Sequence, residues 1–100
     1  MTDRIIKVID YDEFGLRARV TGIKIKKDAL QLLDKSQDTR IIFDFENVPY
    51  ISTGFARDLF GGLFEHLEEE FNKRIAIRTH DNYLIKNAIL KGISTVAKKS

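Results

Sequence analysis

The apolar positions of the chain fall into short runs whose period switches between two residues and about 3.6, the periods of strands and helices. "TRIIFDF" (Thr39–Phe45) is almost continuously apolar and bounded by polar residues. Such a run predicts a strand buried on both faces of a mostly parallel sheet, and therefore the central strand. "RIIKVIDY" is rich in β-branched residues and reads as a first strand. "FGLRARV" sets a glycine turn before alternating Leu16, Ala18 and Val20, which predicts a short second strand paired with the first as a hairpin. From Thr21, "TGIKIKKDALQLLDKS" places Ile25, Ala29, Leu32 and Leu33 on one helical face. "KRIAIRT" alternates Ile75 and Ile77 against basic neighbours as a further strand, and Asp81 is placed to cap a last helix burying Leu84, Ile85, Ala88, Ile89 and Ile93. The order is β-β-α-β-α-β-α, an α/β domain with three helices on a mixed sheet of about four strands, since parallel neighbours need helical crossovers.

The strongest helical pattern, "YISTGFARDLFGGLFEHLEEEF", follows the loop "ENVPY". At 100° per residue, Phe55, Ala56, Leu59, Phe60, Leu63, Phe64, Leu67 and Phe71 share one half of the wheel. Arg57, Asp58, Gly61, Gly62, Glu65, Glu68 and Glu69 occupy the other half or its border. Glycine in a helix interior costs about 1 kcal/mol relative to alanine. An adjacent pair therefore marks a place where something approaches the bare backbone, either a partner or a neighbouring helix of the same domain. Ser52 opens the helix and suits an N-cap, and the same geometry of free N–H groups beside a hydroxyl suits a bound or covalent phosphate on Ser52 or Thr53. Gly54 lets another backbone approach the first turn. Arg17 and Arg19 alternate with Ala18 and are candidate anion contacts at the Ser52 end of the sheet, with surface salt-bridging as the alternative. Asp44, opposed in facing to Phe43 and Phe45, requires a partner if buried and is expected to bond backbone N–H groups near the following loop.

Composition narrows the function classes. One hundred residues, 43% hydrophobic, make a single domain spanning 1–100 with one modest core. A net charge of +2 from 17 basic and 15 acidic residues spread along the chain argues against nucleic-acid or membrane partners. The chain has no cysteine, which excludes disulfides and thiolate chemistry and fits a reducing cytoplasm. The N-terminus lacks the apolar run of a signal peptide, and no apolar run approaches the ~20 residues of a membrane span. His66 and His80 have no spaced carboxylate or second histidine to form a metal triad or a nucleophile–base pair, so both are expected as ordinary surface histidines and no metal or cofactor is expected.

The segment "IIFDFENVPYISTGFARDLFGGL" resembles the hallmark of STAS domains, the sulfate transporter and anti-sigma factor antagonist family, in which an apolar strand passes through an acidic-containing turn into a hydroxyl-bearing helix start. In detail it is closer to an uncharacterised STAS-like branch, with a preceding "FG…R..G" segment matched by Phe14, Gly15, Arg19 and Gly22. The specific part is Asp44 to Leu63; elsewhere the likeness lies in the order of elements. Ile51 stands where the anti-sigma antagonists carry the Asp before their phosphorylated Ser, and the last strand and helix of larger members are absent from the pattern. The resemblance implies a non-enzymatic regulatory module whose Ser52 is a kinase target and whose partner is a histidine-kinase-like ATPase. Docking is then expected on Ser52, Thr53, Gly54, Arg57, Asp58, Gly61, Gly62 and Glu65. A constitutive accessory subunit with Ser52 as a cap only is the alternative. A nucleotide or anion binder is the third reading, weakened by the lack of a glycine-rich phosphate loop with Lys.

Overall fold

The computed structural model describes residues 2–14 and 19–97. β1 (Thr2–Lys7) and a 3-10 segment (Val8–Phe14) precede α1 (Arg19–Lys35) and β2 (Thr39–Asp44). A helical run follows in three pieces: α2 (Thr53–Ala56), a π segment (Arg57–Gly61) and α3 (Gly62–Leu67). Its backbone stays right-handed helical through both junctions and ends where Glu68 turns to φ 51°. A 3-10 turn (Glu68–Glu70) and the single-turn α4 (Phe71–Arg74) lead to β3 (Ile75–Arg78), and α5 (Tyr83–Ala97) closes the described chain. Among the described residues no helix is long and apolar enough to cross a membrane.

The three described strands form one sheet in the order β1-β2-β3, both pairings parallel. β2 is central, as its doubly apolar sequence predicts. Register-paired residues share a face, so Ile6, Phe43 and Ile77 form one row and Ile5, Ile42 and Ala76 the opposite one. Phe43 and Phe45 are buried against Phe60, with ring centroids 5.1 and 6.0 Å apart, which seats the helical run on the first of these faces. Right-handed crossovers in a sequential strand order put successive helices on the same face. The run between β2 and β3 is therefore the middle helix, and both α1 and α5 contact its π segment.

Two sequence expectations change. The hairpin and mixed sheet do not appear among the described residues: Phe14 ends the 3-10 segment and Arg19 and Val20 begin α1, while Gly15, Leu16, Arg17 and Ala18 lie outside the described residues. Val20 and Ile23 are exposed and Thr21, Gly22 and Ile25 buried, so Val20 sits on the outer face of a helix instead of the inner face of a strand. At the far end Asp81 adopts φ 61°, and Asn82 caps α5 in its place, its Oδ1 accepting from Leu84 N and Ile85 N at 3.0 and 3.3 Å. The one-residue shift keeps Ile85, Ala88 and Ile89 buried but leaves Leu84 exposed.

Two polar contacts pin the outer layers to the core. Arg74 is buried and donates to three carbonyls around the α1–β2 turn: Leu33 O at 2.8 Å, Ser36 O at 2.7 Å and Thr39 O at 3.1 Å. It thereby satisfies a carbonyl in the last turn of α1 and places a cation at that helix's negative end. Tyr11 Oη donates to Asp28 Oδ2 at 2.6 Å, tying the 3-10 segment to α1. Partial burial, and then the Asp28 carboxylate, push the Tyr11 phenol up to about 12.

Candidate functional site

The loops leaving the C-terminal ends of the strands carry the candidate chemistry, which is where open α/β sheets place their sites. Ser52 takes an extended conformation (φ −78°, ψ 159°), and its Oγ accepts from Phe55 N at 3.0 Å while its carbonyl accepts from Ala56 N at 3.0 Å. It is the N-cap that its sequence position predicts, half-buried as a residue, with Thr53 beside it exposed. Gly54 faces the aliphatic stem of Arg19: a Cβ there would sit 3.7 Å from Arg19 Cγ and 3.9 Å from Ser52 Oγ. Arg19 in turn forks onto Asp58, Nε to Oδ2 at 2.8 Å and Nη2 to Oδ1 at 3.3 Å, with Arg57 Nε 3.8 Å from Asp58 Oδ1. The Ser52 hydroxyl at the start of the helical run is therefore flanked by the exposed Arg19 guanidinium of α1, which is paired to the Asp58 carboxylate of the π segment. Arg17, the other expected anion contact, lies outside the described residues.

The expected contact face does not survive as one open surface. Gly61 is buried: a Cβ on it would meet Val96 Cγ2 at 2.6 Å and Gly92 O at 3.3 Å, so α5 makes the close approach. Gly62, half-buried, lies under Lys26 of α1, whose Cδ would be 2.6 Å from an added Cβ. The glycine pair thus serves the fold on two sides, Gly61 toward α5 and Gly62 toward α1. The companion positions make the same point: a Cβ on Gly92 would sit 2.6 Å from Arg57 N, and one on Gly22 would sit 2.9 Å from Phe55 O. A 100° wheel assigns Gly61 to the outside because it knows only the sheet side. The middle helix of a sequential sheet has flanks that are also covered. What remains accessible of the expected surface is Ser52, Thr53, Gly54, Arg57, the edge of Asp58, part of Gly62 and Glu65.

A second cluster lies at the end of β2. Asp44 is buried and accepts from Glu46 N at 2.9 Å, the backbone bond that its strand position predicts. His80 Nε2 also lies 2.6 Å from the same Oδ1. The Glu46 N–H and then His80 hold the Asp44 carboxyl below the usual carboxylate range, against the opposing effect of burial. His80 is therefore not an ordinary surface histidine. It sits at φ 54° in the turn after β3, where the parallel pairing of β2 and β3 delivers it to a carboxylate far away in sequence. The Glu46 carboxylate completes a group whose three ligand atoms lie within 4.8 Å of one another. A recess of about 120 Å³ beside it is lined by Lys7, Ile9, Asp10, Asp44, Glu46 and Asn47. Asn82 closes this end, donating from Nδ2 to Val48 O at 3.3 Å and Pro49 O at 2.9 Å, so the β3–α5 turn is fastened to the loop that leads to Ser52. His66, by contrast, is as expected a surface residue, 3.8 Å from the exposed Asp34.

Asn82, Glu46 and the Asp44–His80 pair are the residues that sequence reasoning missed. Glu46 and Asn82 stand in turns with no periodicity, and the His–Asp pairing depends on strand register. A family profile described as a STAS-like domain of unknown function matches residues 21–84 of the chain. No curated protein and no solved structure matches it.

Proposed function

The chain belongs to the STAS-like domain family, and from that premise we propose that it is a non-enzymatic regulatory module that binds a protein partner and is switched at Ser52. The observation that carries this reading is the half-buried N-cap Ser52 at the start of the helical run, with the Arg19–Asp58 pair alongside. A phosphoryl group on Ser52 or Thr53 adds close to two negative charges. The positive end of the helical run accommodates that charge. Arg19 is exposed and lies over the first turn, so it is placed to leave Asp58 for the phosphate, which leaves Asp58 with only the longer 3.8 Å contact to Arg57 and adds a second negative group to the same surface. A partner covering this surface must then desolvate both. The fold survives and the complex does not.

The partner class that the family resemblance implies is a histidine-kinase-like ATPase, docking on Ser52, Thr53, Gly54, Arg57, Asp58, Gly62 and Glu65, and the absence of cysteine fits a reducing cytoplasm for both. The test uses titration calorimetry with the native partner. Ser52→Asp is expected to keep the parent's melting temperature within a few degrees and to weaken binding at least about tenfold, or ~1.4 kcal/mol. Ser52→Ala is expected to lose ~1 kcal/mol of capping stability and still bind. The Ser52–Phe55 cap bond supports a second reading, a constitutive accessory subunit in which Ser52 only caps. Equal affinity of Ser52→Asp and the parent selects it.

A further inference from the structure

We propose that Asp44, Glu46 and His80 form a binding site for a divalent transition-metal cation of the Zn²⁺ or Mn²⁺ kind. The site is independent of the Ser52 switch and stands on three observations. One imidazole and two carboxylates converge from the ends of two strands, their ligand atoms within 4.8 Å of one another. Asp44 is buried as a residue and takes both of its hydrogen bonds on Oδ1; since no fully buried side-chain polar atom among the described residues lacks a partner, Oδ2 stays open to solvent, from which an ion can reach it. Asp44 and Glu46 also line a recess of about 120 Å³ whose wall carries a third carboxylate, Asp10. Mixed nitrogen and carboxylate donors suit first-row transition metals; Ca²⁺ and Mg²⁺ prefer all-oxygen shells.

Ligand bonds of about 2.0–2.2 Å put neighbouring donor atoms roughly 3–4 Å apart. The Asp44–His80 contact of 2.6 Å must therefore open slightly, and any spacing near 4.8 Å must close by about 1 Å. Glu46 is exposed and just beyond β2, so its side chain supplies the movement. The cation takes the lone pair of the His80 nitrogen facing Asp44. The proton held there passes to solvent from an imidazolium, or to the other ring nitrogen by way of water from the neutral ring. Lys7 and Arg78 flank Asp44 in its register row and reduce the local negative charge, so directional ligation carries the affinity. Once bound, the metal joins the β2–α2 loop to the β3–α5 turn, which Asn82 already links through Val48 and Pro49.

Thermal melts of the full chain with Zn²⁺, Mn²⁺, Mg²⁺ or Ca²⁺, and NMR line broadening by Mn²⁺, test the site. Zn²⁺ is expected to raise Tm saturably and more than Mn²⁺, with Mg²⁺ and Ca²⁺ giving no shift at equal concentration. Mn²⁺ is expected to broaden Glu46, Asn47, His80 and Asp81 first. His80→Gln and Glu46→Gln, both at exposed positions, should each weaken Zn²⁺ at least about tenfold, and His66→Gln should leave it unchanged. The proposal is overturned by an unsaturable shift, by broadening centred on His66 and Asp34, by equal shifts from all four ions, or by a Zn²⁺ shift that persists in His80→Gln.

Discussion

Replacing Gly92 by alanine tests whether α5 is seated directly on the backbone of the helical run. The added methyl would lie 2.6 Å from Arg57 N and 2.8 Å from Ala56 C, both backbone atoms that no rotamer change can move. Ordinary carbon contacts begin near 3.5 Å, so the two helices must part by about 1 Å, and overpacking of this kind costs roughly 1–3 kcal/mol. A rigid obstacle on both sides places the cost at the top of that range. The better helix propensity of alanine returns about 1 kcal/mol. The net expectation is a loss of about 2 kcal/mol, or a Tm lower by roughly 8–16 °C for a domain of this size. Gly62→Ala supplies the contrast, because its methyl meets only Lys26 Cδ and Nζ at 2.6 and 3.2 Å, the far end of a side chain that swings into solvent. That variant should be neutral or up to about 1 kcal/mol more stable. Gly61→Ala falls between them, since Val96 Cγ2 at 2.6 Å is a short branched side chain on a helix, with less room to give. Urea denaturation followed by circular dichroism at the helical band ranks all three against the parent. Equal midpoints for Gly92→Ala and Gly62→Ala would refute the packing argument.

Arg74→Met keeps the aliphatic stem but strips donors from the carbonyls of Leu33, Ser36 and Thr39, and should cost about 3–5 kcal/mol in a urea melt; a loss under about 1 kcal/mol would mean water replaces the guanidinium. Leu63→Ala opens a cavity at a fully buried position and should cost about 2–5 kcal/mol, while Glu65→Ala on the exposed face stays within roughly ±0.5 kcal/mol, both read from the same denaturation series. The Tyr11 phenol, raised to about 12, favours the neutral form in the fold, so its contribution is fully present below the unfolded value of about 10 and is lost as pH rises through about 12. Two units correspond to ~2.7 kcal/mol, which solvent screening of a half-buried group reduces to about 1. Tyr11→Phe should remove this alkaline step from a stability–pH profile.

Local pattern was enough to identify the elements that bury a complete face or both faces. β2 is apolar nearly throughout because it lies between two strands and beneath a helix, so its centrality was legible without coordinates. The stripe from Phe55 to Leu67 marks the sheet-facing side of the helical run, and Ser52 is a cap because capping is a contact across three residues, well inside the range of sequence logic. Asp44 was correctly matched to a backbone donor for the same reason: Glu46 is two residues away. The family profile reaches well beyond this stretch, over residues 21–84.

Tertiary structure alone decided the rest, because it depends on which elements become neighbours. Val20 alternates like a strand residue, but the shape of a short window does not distinguish a strand from the first turn of a helix until the buried partners, Thr21, Gly22 and Ile25, are known. The assignment of Gly61 to the inside follows from the strand order, which makes its helix the middle one and gives it α5 as a flank. A hydrophobic wheel has no term for a glycine buried by contact with another backbone. His80 and Asp44 meet because β2 and β3 pair in parallel with a particular register, so that the ends of both strands arrive together. Arg74 looks like a surface cation in a basic run, and only the fold of the α1–β2 turn supplies the three carbonyls that hold it inside. Sequence therefore determined what each segment buries, and topology determined what each segment buries against.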